Sequence, residues 1–226
     1  SWTTRPKPNI LKSSSMISTI QGNVWDRFVS GDTSCFRKLF VSYYKGLFGY
    51  GLKLCGDPDL VEDSIQDLFE TIWKRRENLS HISSPNVYLY VSLRRNIYHA
   101  LKFKNRMARL DPDEDSESDL FQIHFDTEEL LIKKEALKEQ KEELQKALNQ
   151  LSNQQKEVLY LHYFNGMSYG EIEEILNINR QSVRNHMYRA MTSLRTILDL
   201  DIMRLVISAL FGLKFLTGSM SGCGFF

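Results

Sequence analysis

The chain contains few glycines and prolines, which interrupt helices, and few cysteines, which can cross-link a fold. Only 12 glycines and 5 prolines occur among its 226 residues, which leaves room for long helices. The 3 cysteines, Cys35, Cys55 and Cys223, are odd in number and show no metal-ligand spacing. This argues against a disulfide scaffold and favours a reducing, cytoplasmic environment.

Signals of enzymes and of membrane proteins are also lacking. The five histidines form no ligand spacing with cysteine, and there is no phosphate-cradling glycine loop and no nucleophile motif. No signal-peptide pattern is present, and the apolar run 202–216 is shorter than the roughly 20 residues of a membrane span. We therefore expect a non-enzymatic protein with no cofactor, no metal and no membrane span.

Charge is segregated along the chain although the net charge is only +1. Residues 94–106 (RRNIYHALKFKNR) are strongly basic, residues 111–119 (DPDEDSESD) are strongly acidic, and residues 180–195 are basic again. This pattern predicts two nucleic-acid surfaces separated by an acidic linker. A negative linker is suited to lie in a basic channel, and a linker that is merely solvated accounts for the acidic run equally well.

Residues 151–195 have the pattern of a helix-turn-helix. Ser152 with Gln155, and Ser168 with Glu171, each fit a capping box, and Asn177 suits a left-handed turn. Asn179 is expected to cap the last helix, whose inner face would consist of Val183, Met187, Ala190 or Met191, and Leu194.

The other faces of that last helix hold residues that can read base edges, and no Asp or Glu interrupts it. An ordinary amphipathic helix with a solvated basic face is the simpler interpretation. The paired caps, the short turn and the absence of acid together favour DNA binding. The candidate DNA-contacting residues are Arg180, Gln181, Ser182, Arg184, Asn185, Tyr188 and Arg189.

The whole pattern predicts an all-α fold with two helical domains. We place the first domain at 24–106, an acidic flexible linker at 107–126, the second domain at 127–197 and an apolar tail at 198–226. Residues 1–23 are expected to be a disordered leader or an expression remnant, because Ser1 is not an initiator residue whereas Met16 could be one. In the first domain, Phe69 and Trp73 are expected to pack inward.

The segment 61–73 (VEDSIQDLFETIW), together with 36–44 (FRKLFVSYY) and the helix-turn-helix, resembles the bacterial extracytoplasmic-function (ECF) group of RNA polymerase sigma factors. The likeness spans about residues 24–197 and implies sigma domains 2 and 4. It implies binding to core RNA polymerase, through the clamp helices of the largest subunit and the flap, and recognition of the −35 element by the last helix. The polymerase-facing residues would be Asp63, Gln66, Asp67 and Glu70.

The resemblance also implies that residues 78–102 bind and melt the −10 promoter region. Aromatic rings that stack on bases, interleaved with cations, suit that task, although many of these aromatics fit a core role equally well. The candidate residues are Asn78, Ser80, His81, Asn86, Tyr88, Tyr90, Arg94, Arg95, Asn96 and Lys102. Tyr98 and Phe103 are further aromatics of this stretch.

Two alternatives to an autonomous sigma factor stay open. A stand-alone two-domain helix-turn-helix regulator would bind DNA without polymerase. A sigma factor with help from a partner is suggested by Glu173, which stands where the family commonly has Ala, and by the apolar tail. The tail itself fits binding of a partner protein, contact with a membrane surface, or packing on the second domain. An anti-sigma or recruiting protein is thus a candidate partner, beside core polymerase and promoter DNA.

Overall fold

A computed structural model describes residues 24–108 and 146–197. The predicted leader, the acidic linker beyond residue 108, the start of the second domain and the tail lie outside the described residues. All regular elements within the two described ranges are helical, which confirms the all-α class. They are α1 (24–29), α2 (Thr33–Cys55), α3 (Pro58–Lys74), a 3₁₀ turn (Arg76–Leu79), α4 (Pro85–Ala108), α5 (146–149), α6 (Asn153–Tyr163), α7 (Tyr169–Leu176) and α8 (Arg180–Ile197).

Local sequence signals set the helix ends of the first domain. Gly56 ends α2 in the left-handed region at φ 67°, where a side chain would be strained. Asp57 caps α3 by accepting a hydrogen bond from the Leu60 amide at 3.3 Å, and Pro58 takes the first helical turn, where its missing N–H costs nothing. Helix α4 begins at Pro85, where the proline likewise occupies the first turn.

Helices α2, α3 and α4 close one bundle around an aliphatic core. Gly51 lies at their crossing, where an added Cβ would come within 2.8 Å of Val61 Cγ1 and 3.1 Å of Ile97 Cδ1. A glycine there lets the three backbones approach closely. The largest fully buried aliphatic side chains of this bundle are Leu47, Leu54, Ile65, Leu68, Ile72, Leu89, Leu93 and Ile97.

A cluster of aromatic rings holds α1 against the bundle. The centroids of Trp25 and Phe28 are 5.1 Å apart, and those of Phe36 and Trp73 are 5.0 Å apart. The inward packing predicted for Phe69 and Trp73 is confirmed: Phe69 is buried and Trp73 packs half-buried on the core. The deep burial of Trp25 and Phe28 was not part of the sequence prediction.

The second domain is built around the predicted capping boxes, and both are confirmed. Ser168 Oγ accepts a hydrogen bond from the Glu171 amide at 3.3 Å, and the Ser168 amide donates to Glu171 Oε2 at 2.8 Å. Ser152 and Gln155 make the same reciprocal pair at the start of α6, at 3.3 and 3.0 Å. Each box satisfies amide groups that a helix start leaves without a partner.

Removing one of these caps should lower the stability of the fold by a measurable amount. We expect Ser168→Ala to lower the free energy of unfolding by about 1 kcal/mol, because the first turn of α7 loses its side-chain acceptor. Chemical denaturation would measure the loss, with Ser83→Ala as the control, since the exposed Ser83 starts no helix. Equal stability of the two variants would show that the cap contributes nothing.

The two domains pack directly on each other. Helix α4 of the first domain lies against α7 of the second, and the buried side chains of both domains form one continuous cluster. This arrangement was not predicted from the sequence. The contact between the two domains determines which candidate site residues are exposed.

Candidate functional site

Helices α7 and α8 form the predicted helix-turn-helix. Asn177 joins them in the left-handed conformation, at φ 51° and ψ 44°, as its sequence position suggested. Asn179 Oδ1 accepts a hydrogen bond from the Ser182 amide at 2.8 Å, which confirms the expected cap of α8. The predicted inner face of α8 is buried: Val183, Met187, Ala190 and Leu194 are each at most 5% exposed.

The opposite face of α8 is open to solvent and carries no acidic residue. Tyr188 is 72% exposed, and the Gln181 amide donates a hydrogen bond to Asn185 Oδ1 at 3.1 Å, so Gln181 and Asn185 are held side by side on one face. Ser182 is half-buried beside them. The exposed candidates are Arg180, Gln181, Arg184, Asn185, Tyr188 and Arg189.

His186 adds no charge to this basic face at neutral pH. Its partial burial and the positive charge of Arg189 lower its pKa below the usual value. The ring is therefore neutral near pH 7. The positive potential of α8 comes from its arginines.

Helix α3 presents a second exposed face, of opposite charge. Its inner face is buried through Ile65, Leu68 and Ile72, and four acidic or amide side chains point outward between them. Glu70 forms an ion pair with Lys74 one turn on, which is exposed and therefore weak. The exposed residues of this face are Asp63, Gln66, Asp67 and Glu70, the complete set predicted for contact with polymerase.

The residues predicted for the −10 region do not share one exposed surface. Asn78, Ser80, His81 and Arg95 are exposed. Asn86, Tyr88, Asn96 and Lys102 are half-buried, and Tyr90 and Arg94 are 4% and 8% exposed. Tyr88 packs edge-on against Trp25. Of the further aromatics, Phe103 is 66% exposed, while Tyr98 lies under the Lys102 ammonium.

The two buried members of this set contact the second domain. Arg94 Nε donates a hydrogen bond to Glu157 Oε1 at 3.1 Å, and Tyr50 donates its hydroxyl proton to the same oxygen at 2.7 Å. The Asn165 amide donates to the Tyr90 hydroxyl at 2.7 Å. Burial and the neighbouring carboxylate raise the pKa of Tyr50 well above its usual value, so it remains a donor.

Sequence reasoning missed Glu157 and Tyr50 as polar partners. The sequence does contain a signal for the burial of Glu157. The apolar residues Tyr160 and Leu161 follow it by three and four positions, and both are buried in the structure. Helical periodicity therefore places this carboxylate on the inner side of α6. An acid on an apolar helix face needs a buried partner.

Residues 24–108 and 146–197 contain neither a candidate metal site nor a candidate membrane span. In these ranges no group of three or more His, Cys, Asp or Glu side chains is arranged to hold a metal ion. Within the same ranges, none of the helices has the length and apolar character needed to cross a membrane.

The fold and its exposed faces define a two-domain helical protein with a helix-turn-helix. Comparison with known proteins identifies its family. The model of sigma-70 region 2 matches residues 39–107 and that of sigma-70 region 4 matches residues 141–194, together more than half of the chain. The ECF RNA polymerase sigma factor SigL of Mycobacterium tuberculosis is 25% identical over 183 residues, which cover 77% of this chain and 96% of SigL.

Solved structures of the same fold agree with that comparison. The sigma factor RpoE from Bartonella quintana, in complex with the anti-sigma factor NepR, superposes with a TM-score of 0.51 at 22% identity, covering 74% of this chain and 98% of RpoE. CnrH in complex with the cytosolic domain of CnrY gives a TM-score of 0.50 at 17% identity, covering 80% of this chain and 98% of the matched chain. The chain belongs to the ECF group of sigma factors.

Proposed function

We propose that this chain binds bacterial core RNA polymerase, positions it at promoters and helps to open the start region. The polymerase would perform the phosphoryl transfer, so the chain itself is not an enzyme. One observation carries the proposal: the chain pairs an exposed acidic face on α3 with an exposed, acid-free face on α8. A stand-alone regulator needs only the second of these faces.

The acidic face of α3 is the proposed polymerase contact. Asp63 and Asp67 are one helical turn apart and exposed, so they form a compact negative patch on a helix whose other side is locked in the core. A rigid charged patch of this kind favours fast and specific docking on a complementary surface. The proposed partner surface is the clamp-helix coiled coil of the largest subunit, with the flap as the contact of the second domain.

Helix α8 is the proposed reader of the −35 element. Its inner face is fixed by packing, so the outer side chains project from a rigid scaffold into the major groove. Arg184 would reach a guanine edge bidentately, whereas Gln181 and Asn185 suit adenine.

The substitution Arg184→Ala can show whether this arginine contacts a base or a phosphate. We expect Arg184→Ala to cost about 1–3 kcal/mol of promoter affinity at one base position, and little on templates already altered at that position. Titrating polymerase holoenzyme against promoter variants would measure it. Arg195→Ala, an exposed arginine at the far end of α8, is the control. Equal losses on every template would assign Arg184 to phosphate contact.

The proposed −10 surface lies along α4 and the loop before it. Asn78 is exposed in the 3₁₀ turn, and Ser80 and His81 are exposed in the loop that follows it, where they could receive a base extruded from the duplex. Arg95 is exposed on α4, whereas Arg94 and Tyr90 face the second domain. For these two to contact DNA, the two domains would have to separate.

The remaining parts of the proposal concern organisation and partners. We assign 24–106 to sigma domain 2, 127–197 to sigma domain 4, 107–126 to the linker and 198–226 to a tail. Both solved relatives hold a second protein, the anti-sigma factor NepR on RpoE and the cytosolic domain of CnrY on CnrH, and an anti-sigma protein is a partner we propose for this chain as well. Work with RNA polymerase would require a cytoplasmic location.

A further inference from the structure

A row of aromatic rings runs along α2 at the surface. Phe40, Tyr44 and Phe48 follow one another at one-turn spacing, with 5.3 and 5.8 Å between successive ring centroids. Phe40 is 37% exposed, and Val41, one turn before Tyr44, is 70% exposed. We call Phe40, Val41, Tyr44 and Phe48 the aromatic face. A contiguous apolar patch of this kind on a soluble protein marks a site of interaction.

The border of the aromatic face toward α3 is acidic. Phe40 packs edge-on against Phe69 of α3 with 5.0 Å between ring centroids, so α3 lies directly beside the face. Glu70 follows Phe69 and is exposed. Burial and the charge of the exposed Glu62 raise the pKa of Tyr44, which places this second carboxylate close to the middle of the row.

The outer border of the aromatic face is basic. Arg37 and Lys45 are exposed one turn before and one turn after Val41. An occupant that fits the whole face is therefore apolar along its centre and carries cations on the side toward α3.

The chain itself contains a segment with this chemistry. Residues 202–216 (IMRLVISALFGLKFL) contain no acidic residue, and their only charges are Arg204 and Lys214. Asp199 and Asp201 precede the segment and match the basic border. The segment follows α8 and lies outside the described residues. Its apolar residues at helical spacing are Ile202, Leu205, Val206, Ala209, Leu210 and Leu213.

Tethering favours this segment over a separate protein as the occupant. About 13 residues separate the end of α8 at Ile197 from Leu210, and an extended chain of that length spans up to about 45 Å. This exceeds the width of a domain of about 100 residues, so reach does not limit the contact. A tethered segment also has an effective concentration in the millimolar range, which a separate protein rarely attains.

We propose that the apolar tail docks on the aromatic face of its own chain. Its apolar row would lie on the rings of α2, and its cations would lie near Glu62 and Glu70 of α3. The removal of two apolar surfaces from water is the main driving force, because exposed ion pairs contribute little. Docking would also keep both surfaces from aggregating. The proposal does not depend on the proposed function.

Photo-cross-linking in the full chain tests the contact directly. The photoreactive amino acid p-benzoylphenylalanine is placed at Val41, on the aromatic face. The matched control has the same amino acid at Ser42, which is exposed on α2 but two residues from both Phe40 and Tyr44, and therefore on another side of the helix. Peptide mapping by mass spectrometry identifies the contacted residues. We expect the probe at Val41, and not the probe at Ser42, to cross-link to residues 202–216 of the same chain.

Two tail variants separate apolar contact from a change of charge. Leu210→Asp places a carboxylate within the apolar row, whereas Ser208→Asp makes the same change of charge in the same segment but outside the row. We expect Leu210→Asp to reduce cross-linking from position 41 by about tenfold, because the burial of one leucine side chain is lost. Ser208→Asp should stay within about twofold of the unaltered tail. Circular dichroism verifies that both variants remain folded.

Three results would overturn the proposal. The absence of cross-links from position 41 to residues 202–216, or equal yields from positions 41 and 42, would show that the tail does not occupy this face. Cross-links between two different chains, detected in a mixture of unlabelled and ¹⁵N-labelled protein, would assign the face to a second copy. Equal losses in Leu210→Asp and Ser208→Asp would show that the apolar row does not make the contact.

Discussion

Reversing the charges of Asp63 and Asp67 to lysine is expected to reduce the affinity for core RNA polymerase by about 100-fold or more. Both side chains are exposed on one face of α3, and the opposite face of the helix is locked into the core. A partner surface complementary to this acidic patch is positively charged, so the two lysines would meet like charge, which costs several kcal/mol when desolvated. Titration of the chain against purified core polymerase measures the effect.

A matched control distinguishes the α3 face from charge in general. Asp26→Lys with Glu77→Lys makes the same change in net charge within the first domain, and both residues are exposed away from α3. The ion pair of Glu77 with Arg76 is at the surface and contributes little. The control should bind within a factor of about 3 of the wild type. Equal loss in both double variants would mean that total charge, and not this face, governs binding.

The second large effect is expected in the aromatic cluster under α1. Phe28 is completely buried, with Trp25 at 5.1 Å, Phe36 at 5.9 Å and Trp73 at 6.3 Å between ring centroids. Phe28→Ala should therefore lower the free energy of unfolding by about 3–5 kcal/mol, from lost burial and the cavity left behind. That is a large part of the 5–15 kcal/mol typical of a whole domain. Urea denaturation followed by circular dichroism gives the value.

Val41→Ala provides the comparison on the same bundle. Val41 is 70% exposed on α2, so its truncation should change stability by less than about 0.5 kcal/mol. A loss below 1 kcal/mol for Phe28→Ala would contradict the account, because it would mean that residues 24–29 do not belong to the folded unit.

The features predicted correctly from the sequence are those fixed by a few neighbouring residues. The capping box at Ser168, the left-handed Asn177 and the cap of α8 at Asn179 each follow from the chemistry of one turn. The buried face of α8 follows from its helical period, since Val183 and Met187 are one turn apart. Such signals need no knowledge of the rest of the chain.

The features that were missed depend on distant parts of the chain. The burial of Phe28 becomes visible only when α2 and α3 supply the partner rings Phe36 and Trp73. Arg94 lies in a strongly basic stretch and was interpreted as a DNA contact. Its partner Glu157 is 63 residues away, and no local pattern joins the two.

Transcription in a purified system shows directly whether this chain guides core polymerase to promoters. Core polymerase alone, core polymerase with the chain, and core polymerase with the Asp63/Asp67 reversal would transcribe a library of genomic fragments. We expect discrete start sites that require the wild-type chain and share two sequence elements upstream, one for each domain. Sequence-specific DNA binding by the chain with no chain-dependent start sites would contradict it and favour a stand-alone regulator.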